Sequence, residues 1–382
     1  MGRVLISVIG KNVYTETQYI FNGKHKKSDV VMSVLYEEIQ PEQVYVLGTD
    51  TSSWDFIDKL NIPYEKILIP YGVQNEDYIQ IFKTIANTMD VHGKELYIDV
   101  THGFRSIPFY IFSALNYFSL TQNAKIKGCY YGMLQHGQQE TPIVDMQSLM
   151  ELQSWIGAYH VFNSSGNATE IAKLLKEKQD ESYRNGDRNS KKPTKLKNVT
   201  AGLNNLSNAI GLNYTKEIQE TADSLLKCFY DKDVQEEIEY FTKPFSMIIP
   251  MLVEDLKIMV EHKYVWEIQL FLADLYYRYK RYTNCLTTLR ELIITYMIEI
   301  VEQKPERVYD REYREKLSND FYQSTYEDYR KDIQDFYKDI IDMRNSSGHC
   351  GMRQDGRMRL TSANQTIEEK IQSVKKLLQK TK

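Results

Sequence analysis

The ten residues Leu96–Arg105, LYIDVTHGFR, constrain the fold more than any other part of this chain. They predict a buried strand, a sharp polar turn and the start of an apolar helix, because SIPFYIFSALNYF follows directly. Open α/β sheets bind ligands at the carboxyl ends of their strands, where this turn would lie. A helix amino terminus there presents unpaired N–H groups that favour a phosphate, and Arg105 can bind the same anion. The segment therefore predicts a phosphorylated ligand in the first third of the chain.

Strand and helix patterns alternate up to about residue 147, which predicts a Rossmann-like α/β domain with a parallel-rich, doubly wound sheet. The predicted strands are short apolar runs that end in Gly, Pro or Thr: Val4–Ile9, Gln43–Gly48, Lys66–Pro70, Glu95–Val100 and Ile126–Met133. The predicted helices between them are Asp29–Ile39, Trp54–Leu60, Asp77–Met89 and Ile107–Ser119. In addition, Tyr14–Phe21 predicts one arm of a hairpin, and Thr141–Met146 predicts an edge strand.

After about residue 147 the strand signal ends, and the pattern predicts an all-α region. Residues 181–200 are polar and contain Gly and Pro, so we expect a flexible loop there. A second interruption of the helices is expected near residues 302–320. Asp332–Met343 then predicts an amphipathic helix with Gly348 as its stop signal, and the tail predicts one more amphipathic helix.

Three small polar loops follow predicted strands and would meet at one crevice. Their glycines let a ligand approach the backbone, while hydroxyl groups and two cations supply donors. The candidate ligand-binding residues are Gly10, Lys11, Thr49, Ser52, Thr101, His102, Gly103 and Arg105. No GxGxxG motif follows the first strand and no Walker lysine motif occurs, which disfavours a dinucleotide dehydrogenase. The alternative for these loops is ordinary helix capping with a hydrogen-bonded histidine.

Arg344 and His349 stand at the carboxyl end of the predicted amphipathic helix. The arginine could stabilise negative charge on a pentavalent phosphate, and the histidine could transfer the proton. RNA brings its own nucleophile, the 2′-hydroxyl, so this chemistry needs no metal. The seven histidines are scattered without metal-ligand spacing, and no metal site is expected. The alternative is a C-cap arginine beside a surface histidine.

The composition sets further limits. A formal net charge of −4 gives no global positive field, so any contact with nucleic acid must come from a local patch. One candidate is Tyr276–Tyr282, YYRYKRY, which suits stacking and phosphate contact, although a helix with half-buried tyrosines is the alternative. The four separated cysteines are typical of reduced thiols, and we expect a cytoplasmic protein. No apolar window is long enough to predict a membrane span.

Two segments resemble known families. DVTHGFRS at Asp99–Ser106, with the early VLISVIG strand and the VLGT turn at Val46–Thr49, resembles a CRISPR-associated Rossmann-fold (CARF) domain. The R-N-x3-H pattern at Arg344–His349 resembles a HEPN ribonuclease domain, and CARF followed by HEPN resembles the ancillary ribonucleases of type III CRISPR systems. The expected domains are a CARF-like sensor at residues 1–147, a helical linker region at 148–210 and an all-helical HEPN-like domain at 211–382.

The resemblance implies a homodimer, or a higher even oligomer, with a cyclic oligoadenylate as allosteric activator on its two-fold axis. The tetra-adenylate is the first candidate and the hexa-adenylate the second, and no other cofactor is implied. The implied reaction is metal-independent cleavage of single-stranded RNA to a 2′,3′-cyclic phosphate. Arg344 would stabilise the transition state, His349 would act as acid and base, and Asn345 would orient them. Some CARF domains also cleave their activator slowly, a reaction that this sequence leaves open.

Two other functions are compatible with the sequence. A non-catalytic sensor could bind DNA or a protein partner through its helical half, although no helix-turn-helix with a basic recognition helix is evident. A Rossmann-type enzyme could use His102 as a base on a small molecule, although the dinucleotide fingerprint is missing.

Overall fold

A computed structural model of the chain describes residues 2–134, 139–185, 191–323, 330–352 and 357–379. The chain divides into two compact units, Met1–Ser154 and Trp155–Lys382. None of the helices in these described ranges combines the length and the apolar character that crossing a membrane requires.

The first unit is built on one sheet of eight strands. They are β1 (Arg3–Val8), β2 (Thr17–Phe21), β3 (Lys24–Ser28), β4 (Gln43–Gly48), β5 (Glu65–Leu68), β6 (Glu95–Asp99), β7 (Lys125–Gly132) and β8 (Glu140–Asp145). Their order in the sheet is β3-β2-β8-β7-β6-β1-β4-β5. All neighbours are parallel except β2 with β3 and β7 with β8. The predicted parallel-rich Rossmann-like sheet is confirmed.

Helices cover both faces of this sheet: α1 (Val31–Ile39), α2 (Asp55–Asp58), α3 (Asn75–Thr88) and α4 (Ile107–Thr121). Alternate residues of a strand point to opposite faces, so β1 serves two cores. Val4 and Ile6 pack in the core that includes residues of α3 and α4. Leu5 packs in the core that includes residues of α1. The continuous apolar run of β1 follows from burial on both sides.

The hairpin prediction at Tyr14–Phe21 is confirmed, because β2 pairs antiparallel with β3. The prediction that Thr141–Met146 forms an edge strand is wrong. This segment forms β8, which lies inside the sheet between β2 and β7. The cause is the parallel pairing of Gln18 with Glu140, a contact across 122 residues that no local pattern shows.

The described part of the second unit is built from helices, and the first of these, Gln147–Ser165, begins before the boundary between the two units at Ser154 and Trp155. The helices are α5 (Gln147–Ser165), α6 (Thr169–Asn185), α7 (Leu196–Leu212), α8 (Thr215–Tyr230), α9 (Lys232–Phe241), α10 (Lys243–Ser246), α11 (Ile249–Val260), α12 (Val265–Arg278), α13 (Tyr282–Tyr296), α14 (Arg311–Tyr322), α15 (Lys331–Gly348) and α16 (Ala363–Gln379). A π-helical turn, Met297–Val301, continues α13. One apolar core joins these helices.

Two predicted interruptions are shorter than expected. Residues 181–185 belong to α6 and residues 196–200 to α7, so the predicted loop at 181–200 is wrong at both ends, while residues 186–190 lie outside the described residues. The buried carboxylate of Glu237 accepts hydrogen bonds from the backbone N–H groups of Thr194, Lys195 and Leu196, which supports the start of α7. The second interruption, predicted near 302–320, ends earlier because α14 begins at Arg311.

Candidate functional site

The first candidate site lies where the strand order of the sheet reverses. After β1 the chain forms the hairpin of β2 and β3 at one edge of the sheet, returns to place β4 and β5 on one side of β1, and then places β6 on the other side of β1. The carboxyl ends of β6, β1 and β4 are therefore adjacent, and the loops that follow them start at one edge. Ligands of open α/β sheets bind at such a switch point.

Direct contacts join the loops after β1 and β6. Ile9 and His102 form an isolated parallel bridge beyond the ends of their strands. The Tyr14 hydroxyl accepts a hydrogen bond from the Gly10 N–H at 3.1 Å and donates one to the His102 carbonyl at 3.0 Å. Tyr14 was not among the predicted site residues, because a tyrosine four residues after a glycine gives no sequence signal of this role.

The loop after β4 is joined to the same place. The Ser52 hydroxyl donates to the Ile9 carbonyl at 2.9 Å and accepts from the Thr49 N–H at 2.9 Å. The Ser53 N–H donates to the Gly10 carbonyl at 2.9 Å. Thr49 and Ser52 are both buried. Thr49 and Ser52 therefore stabilise the loop after β4 from buried positions. The three predicted loops lie together in the structure.

Both candidate glycines are required by close packing of the chain on itself. A Cβ atom at Gly10 would lie 2.8 Å from the His102 carbonyl oxygen, and one at Gly103 would lie 2.8 Å from the Val8 side chain. Contacts this short do not occur between ordinary Cβ atoms and their neighbours. The glycines therefore permit the loops to converge, whether or not a ligand approaches them.

The polar side chains of Thr101 and His102 are used inside the protein. Thr101 Oγ1 accepts from the Gly132 N–H at 3.0 Å, and the Thr101 N–H donates to buried Asp99 at 2.9 Å. His102 Nε2 accepts from the Val31 N–H at 3.1 Å, at the first residue of α1. Because Nε2 accepts, the neutral ring carries its proton on Nδ1. Burial lowers the pKa of His102 below 6.5, against the opposing effect of the Asp99 charge.

His102 is thus a cap for α1, whose N-cap residue Val30 has no capping side chain. The alternative prediction, a hydrogen-bonded histidine that caps a helix, therefore describes His102. The helix that it caps is α1, whereas the helix that follows the turn is α4. It also occupies the Nε2 lone pair that a catalytic base would use, which weakens the idea of a small-molecule enzyme based on His102.

Lys11 and Arg105 are the exposed cations of the predicted site, and Asp50 in the loop after β4 is an exposed carboxylate at the same edge. Neither Lys11 nor Arg105 forms an ion pair within the described ranges. The first turn of α4 supplies fewer donors than predicted, because the N–H groups of Ile107 and Phe109 bond to preceding carbonyls and Pro108 has none. An anion bound here would therefore depend on the two cations and on the loop backbone.

The second candidate site is the carboxyl end of α15. Arg344 and His349 are exposed, and the helix ends at Gly348 as predicted. The left-handed backbone comes after it, at Cys350 with φ 55° and at Gly351 with φ 71°. A further link holds this end in place, since Ser347 Oγ contacts Thr283 Oγ1 on α13.

Asn345 contacts both of the candidate catalytic residues. Its side-chain oxygen accepts from Arg344 Nη1 at 3.1 Å, and its carbonyl accepts from the His349 N–H at 2.9 Å. Five residues at the pitch of an α-helix separate the directions of Arg344 and His349 by about 140°. One chain therefore holds both groups at one helix end, with His349 as the C-cap residue just beyond α15. Across the described residues, no cluster of three or more His, Cys, Asp or Glu side chains has a geometry that could hold a metal ion.

Comparison with protein families gives two adjoining matches. Residues 4–134 match the CARF domain of the CRISPR system endoribonuclease Csx1. Residues 151–261 match the second domain of the CRISPR-associated protein MJ1674. Both matched ranges end before the Arg344–His349 motif.

Two curated relatives come from Methanocaldococcus jannaschii. CRISPR-associated protein MJ1674 is 26% identical over 361 residues, which covers 75% of this chain and 53% of the relative. CRISPR system endoribonuclease Csx1 is 28% identical over 144 residues, which covers 28% of this chain and 31% of the relative. The chain thus spans about half the length of the first and about a third of the second. The amino-terminal unit is therefore a CARF domain of the Csx1 family, in a chain that is homologous to CRISPR-associated proteins.

Proposed function

We propose that this CARF protein is an endoribonuclease that a cyclic oligoadenylate switches on. One observation carries the proposal. The loops after β6, β1 and β4 converge at the switch point of a Csx1-type CARF domain, beside Lys11 and Arg105, which form no ion pair with any residue that the structure describes. The relative named Csx1 is an endoribonuclease, which supports RNA as the substrate class.

The activator fits the chemistry of this edge. Each phosphate of a cyclic oligoadenylate carries one negative charge, and two copies of the chain would present two lysines and two arginines. The exposed Asp50 of each copy offsets part of this charge, so the ring with the fewer phosphates, the tetra-adenylate, is the first candidate. A ligand on a two-fold axis sees the same patch twice, which doubles every contact.

The outer face of α4 supports pairing of two copies. On this helix Phe109 is 75% exposed and Leu120 is 88% exposed, with the small polar Ser113 also exposed between them in the sequence. Phe109 lies one helical turn after Arg105, so a second copy that covered α4 would also approach the proposed activator site. Tyr71, which packs against Phe104 of the turn with ring centroids 5.0 Å apart, extends the apolar face.

Catalysis is assigned to Arg344, Asn345 and His349. His349 would accept the proton of the RNA 2′-hydroxyl as its oxygen bonds to phosphorus, and a proton would pass to the 5′-oxygen as the P–O5′ bond breaks. The products are a 2′,3′-cyclic phosphate and a 5′-hydroxyl. Arg344 would stabilise the charge that develops on the phosphate oxygens. Two copies together would complete the site, each contributing the end of its α15.

The test is RNA cleavage with and without cyclic tetra- and hexa-adenylate, in buffer containing EDTA. We expect cleavage only with activator, and a loss of about 10²–10⁴-fold for His349→Ala, the range of general acid–base catalysis. His160→Ala, which removes an exposed histidine on α5, is the matched control and should cleave normally.

Full activity of His349→Ala, or cleavage that requires a divalent cation, would contradict the assigned roles. Activator binding without RNA cleavage by the unmodified protein would favour a non-catalytic sensor instead.

A further inference from the structure

The turn between α12 and α13, Arg278–Tyr282, lies beside the candidate catalytic helix end. Thr283, the residue after this turn, contacts Ser347, which stands between Arg344 and His349. Arg281 is two residues before Thr283, and His349 is two residues after Ser347. The contact between Thr283 and Ser347 therefore keeps the Cα atoms of Arg281 and His349 within roughly 20 Å of each other. Long cationic side chains on the turn can therefore reach phosphates close to the one that would be cleaved.

Of the three cations in this turn, Lys280 and Arg281 have no acidic partner among the described residues, whereas the charge of Arg278 acts on Asp255. Lys280 is exposed and Arg281 is partly exposed, and no ion pair involves either one in the part of the chain that the structure describes. Neighbouring cations are compensated: Lys370 pairs with Asp339, and Lys375 pairs with Asp274. In a chain with a net charge of −4, Lys280 and Arg281 concentrate positive charge beside the motif, while the carboxylate of Glu368 near the turn accepts a hydrogen bond from Tyr277.

The tyrosines of the same segment have internal roles. Tyr276 is fully buried and donates to the Ile210 carbonyl at 3.0 Å, while Tyr277 donates to Glu368 at 3.0 Å. The hydroxyl of Tyr282 donates to Asn364 on α16. Stacking of RNA bases on this segment is therefore disfavoured, and the alternative of half-buried helical tyrosines describes it better. The segment would therefore contact a nucleic acid through its positively charged side chains.

We propose that Lys280 and Arg281 bind phosphates of the single-stranded RNA substrate next to the Arg344–His349 motif. The inference rests on the proposed ribonuclease function and adds a substrate subsite to it. Contacts with phosphate position the strand and do not read its bases, so the subsite acts on RNA of any sequence. Lys280 sits in left-handed backbone with φ 56°, which makes the turn tight and holds both side chains at the surface.

The experiment compares the double variant Lys280→Asn/Arg281→Gln with the unmodified turn, both in the His349→Ala background so that RNA stays intact. Asparagine tolerates the left-handed backbone and glutamine keeps the length of the arginine, so the fold should survive. Binding of single-stranded RNA is measured by fluorescence anisotropy at several salt concentrations. Loss of two phosphate contacts should reduce the slope of log K against log salt by about 1.4, at about 0.7 per contact for single strands.

The charge-matched control is Lys176→Gln/Lys197→Gln, which removes two cations from exposed positions on α6 and α7. It should leave the slope unchanged. If the turn variant has the same slope as the control, the inference is overturned, and normal thermal unfolding of both proteins excludes a folding defect. With active His349, the turn variant should raise KM for RNA. If the unmodified protein cleaves RNA but the turn variant has the same salt slope as the unmodified turn, only the subsite is refuted. If the unmodified protein neither binds nor cleaves RNA, the proposed function is refuted as well.

Discussion

Within the turn after β6, neighbouring residues do different work. Thr101 and His102 use their side chains to hold Gly132 and the start of α1, whereas Arg105 is exposed and unpaired among the described residues. The sequence predicted that these residues would cluster, and it was right. It assigned all of them to the ligand, because residue type alone does not show which groups already have partners inside the fold.

His102 gives a prediction about pH. Its pKa in the folded protein is lowered below the ordinary 6.5, so the unfolded chain takes up a proton first as the pH falls. The stability that depends on neutral His102 is fully present above pH 6.5 and is lost as the pH falls below it. We expect the thermal midpoint of the CARF unit to decrease between pH 8 and pH 5.5, and to decrease less in His102→Gln.

The comparison is made by scanning calorimetry at both pH values, with exposed His92→Gln as the control. An equal pH dependence in His102→Gln and the unmodified protein would show that other groups dominate.

At the scale of elements, most strands and helices of the CARF unit were predictable because they follow local apolar patterns, whereas β3, KHKKS, is polar and forms by pairing with β2. The strand β8 was predicted as an element but misplaced, since its partner β2 lies more than a hundred residues away in the sequence. The same reason explains the error at residues 181–200. Their polar composition predicts a loop, but Glu237, which caps α7, is some 40 residues further along. Local patterns identify elements, and distant contacts decide their ends and neighbours.

Glu237 gives the prediction at this scale. Its carboxylate accepts four hydrogen bonds from Thr194, Lys195 and Leu196. Burial opposes its ionisation, but these bonds outweigh burial and hold the pKa of Glu237 below its ordinary value. Glu237→Ala should lower the free energy of unfolding by about 3 kcal/mol, because hydrogen bonds to a charged group are among the stronger ones.

Urea unfolding followed by circular dichroism measures this change. Glu239→Ala removes an exposed carboxylate from the same helix, α9, and is the matched control. Similar unfolding midpoints for the two variants would refute the capping role.

For the whole molecule, the most informative surface is the outer face of α4. It leaves Phe109 and Leu120 exposed on a largely apolar helix. Resemblance to a family predicted a dimer, and this face is where the chain itself offers a surface to pair. The helical end that carries Arg344 and His349 was also located from the sequence, while its proposed pairing with a second copy stays a prediction.

Phe109→Asp tests the pairing. Placing a charge on the apolar face should shift the protein toward the monomer and abolish activation by cyclic oligoadenylate, since each copy would supply only half of the activator site. Light scattering gives the mass, and RNA cleavage gives the activity. Leu212→Asp places the same charge at another exposed leucine, on α7, and should leave the mass unchanged. A dimer that persists in Phe109→Asp would show that the interface lies on another surface.

The bridge between Ile9 and His102, reinforced by the Tyr14 hydroxyl, has a consequence for how a ligand can be held. It extends the pairing of β1 with β6 beyond the ends of both strands, so their loops leave the sheet edge as one joined surface. Under the proposed function, a flat ring on this surface would keep its outer side in water until a second copy covered it. Binding of the ring and pairing of the copies would then strengthen each other.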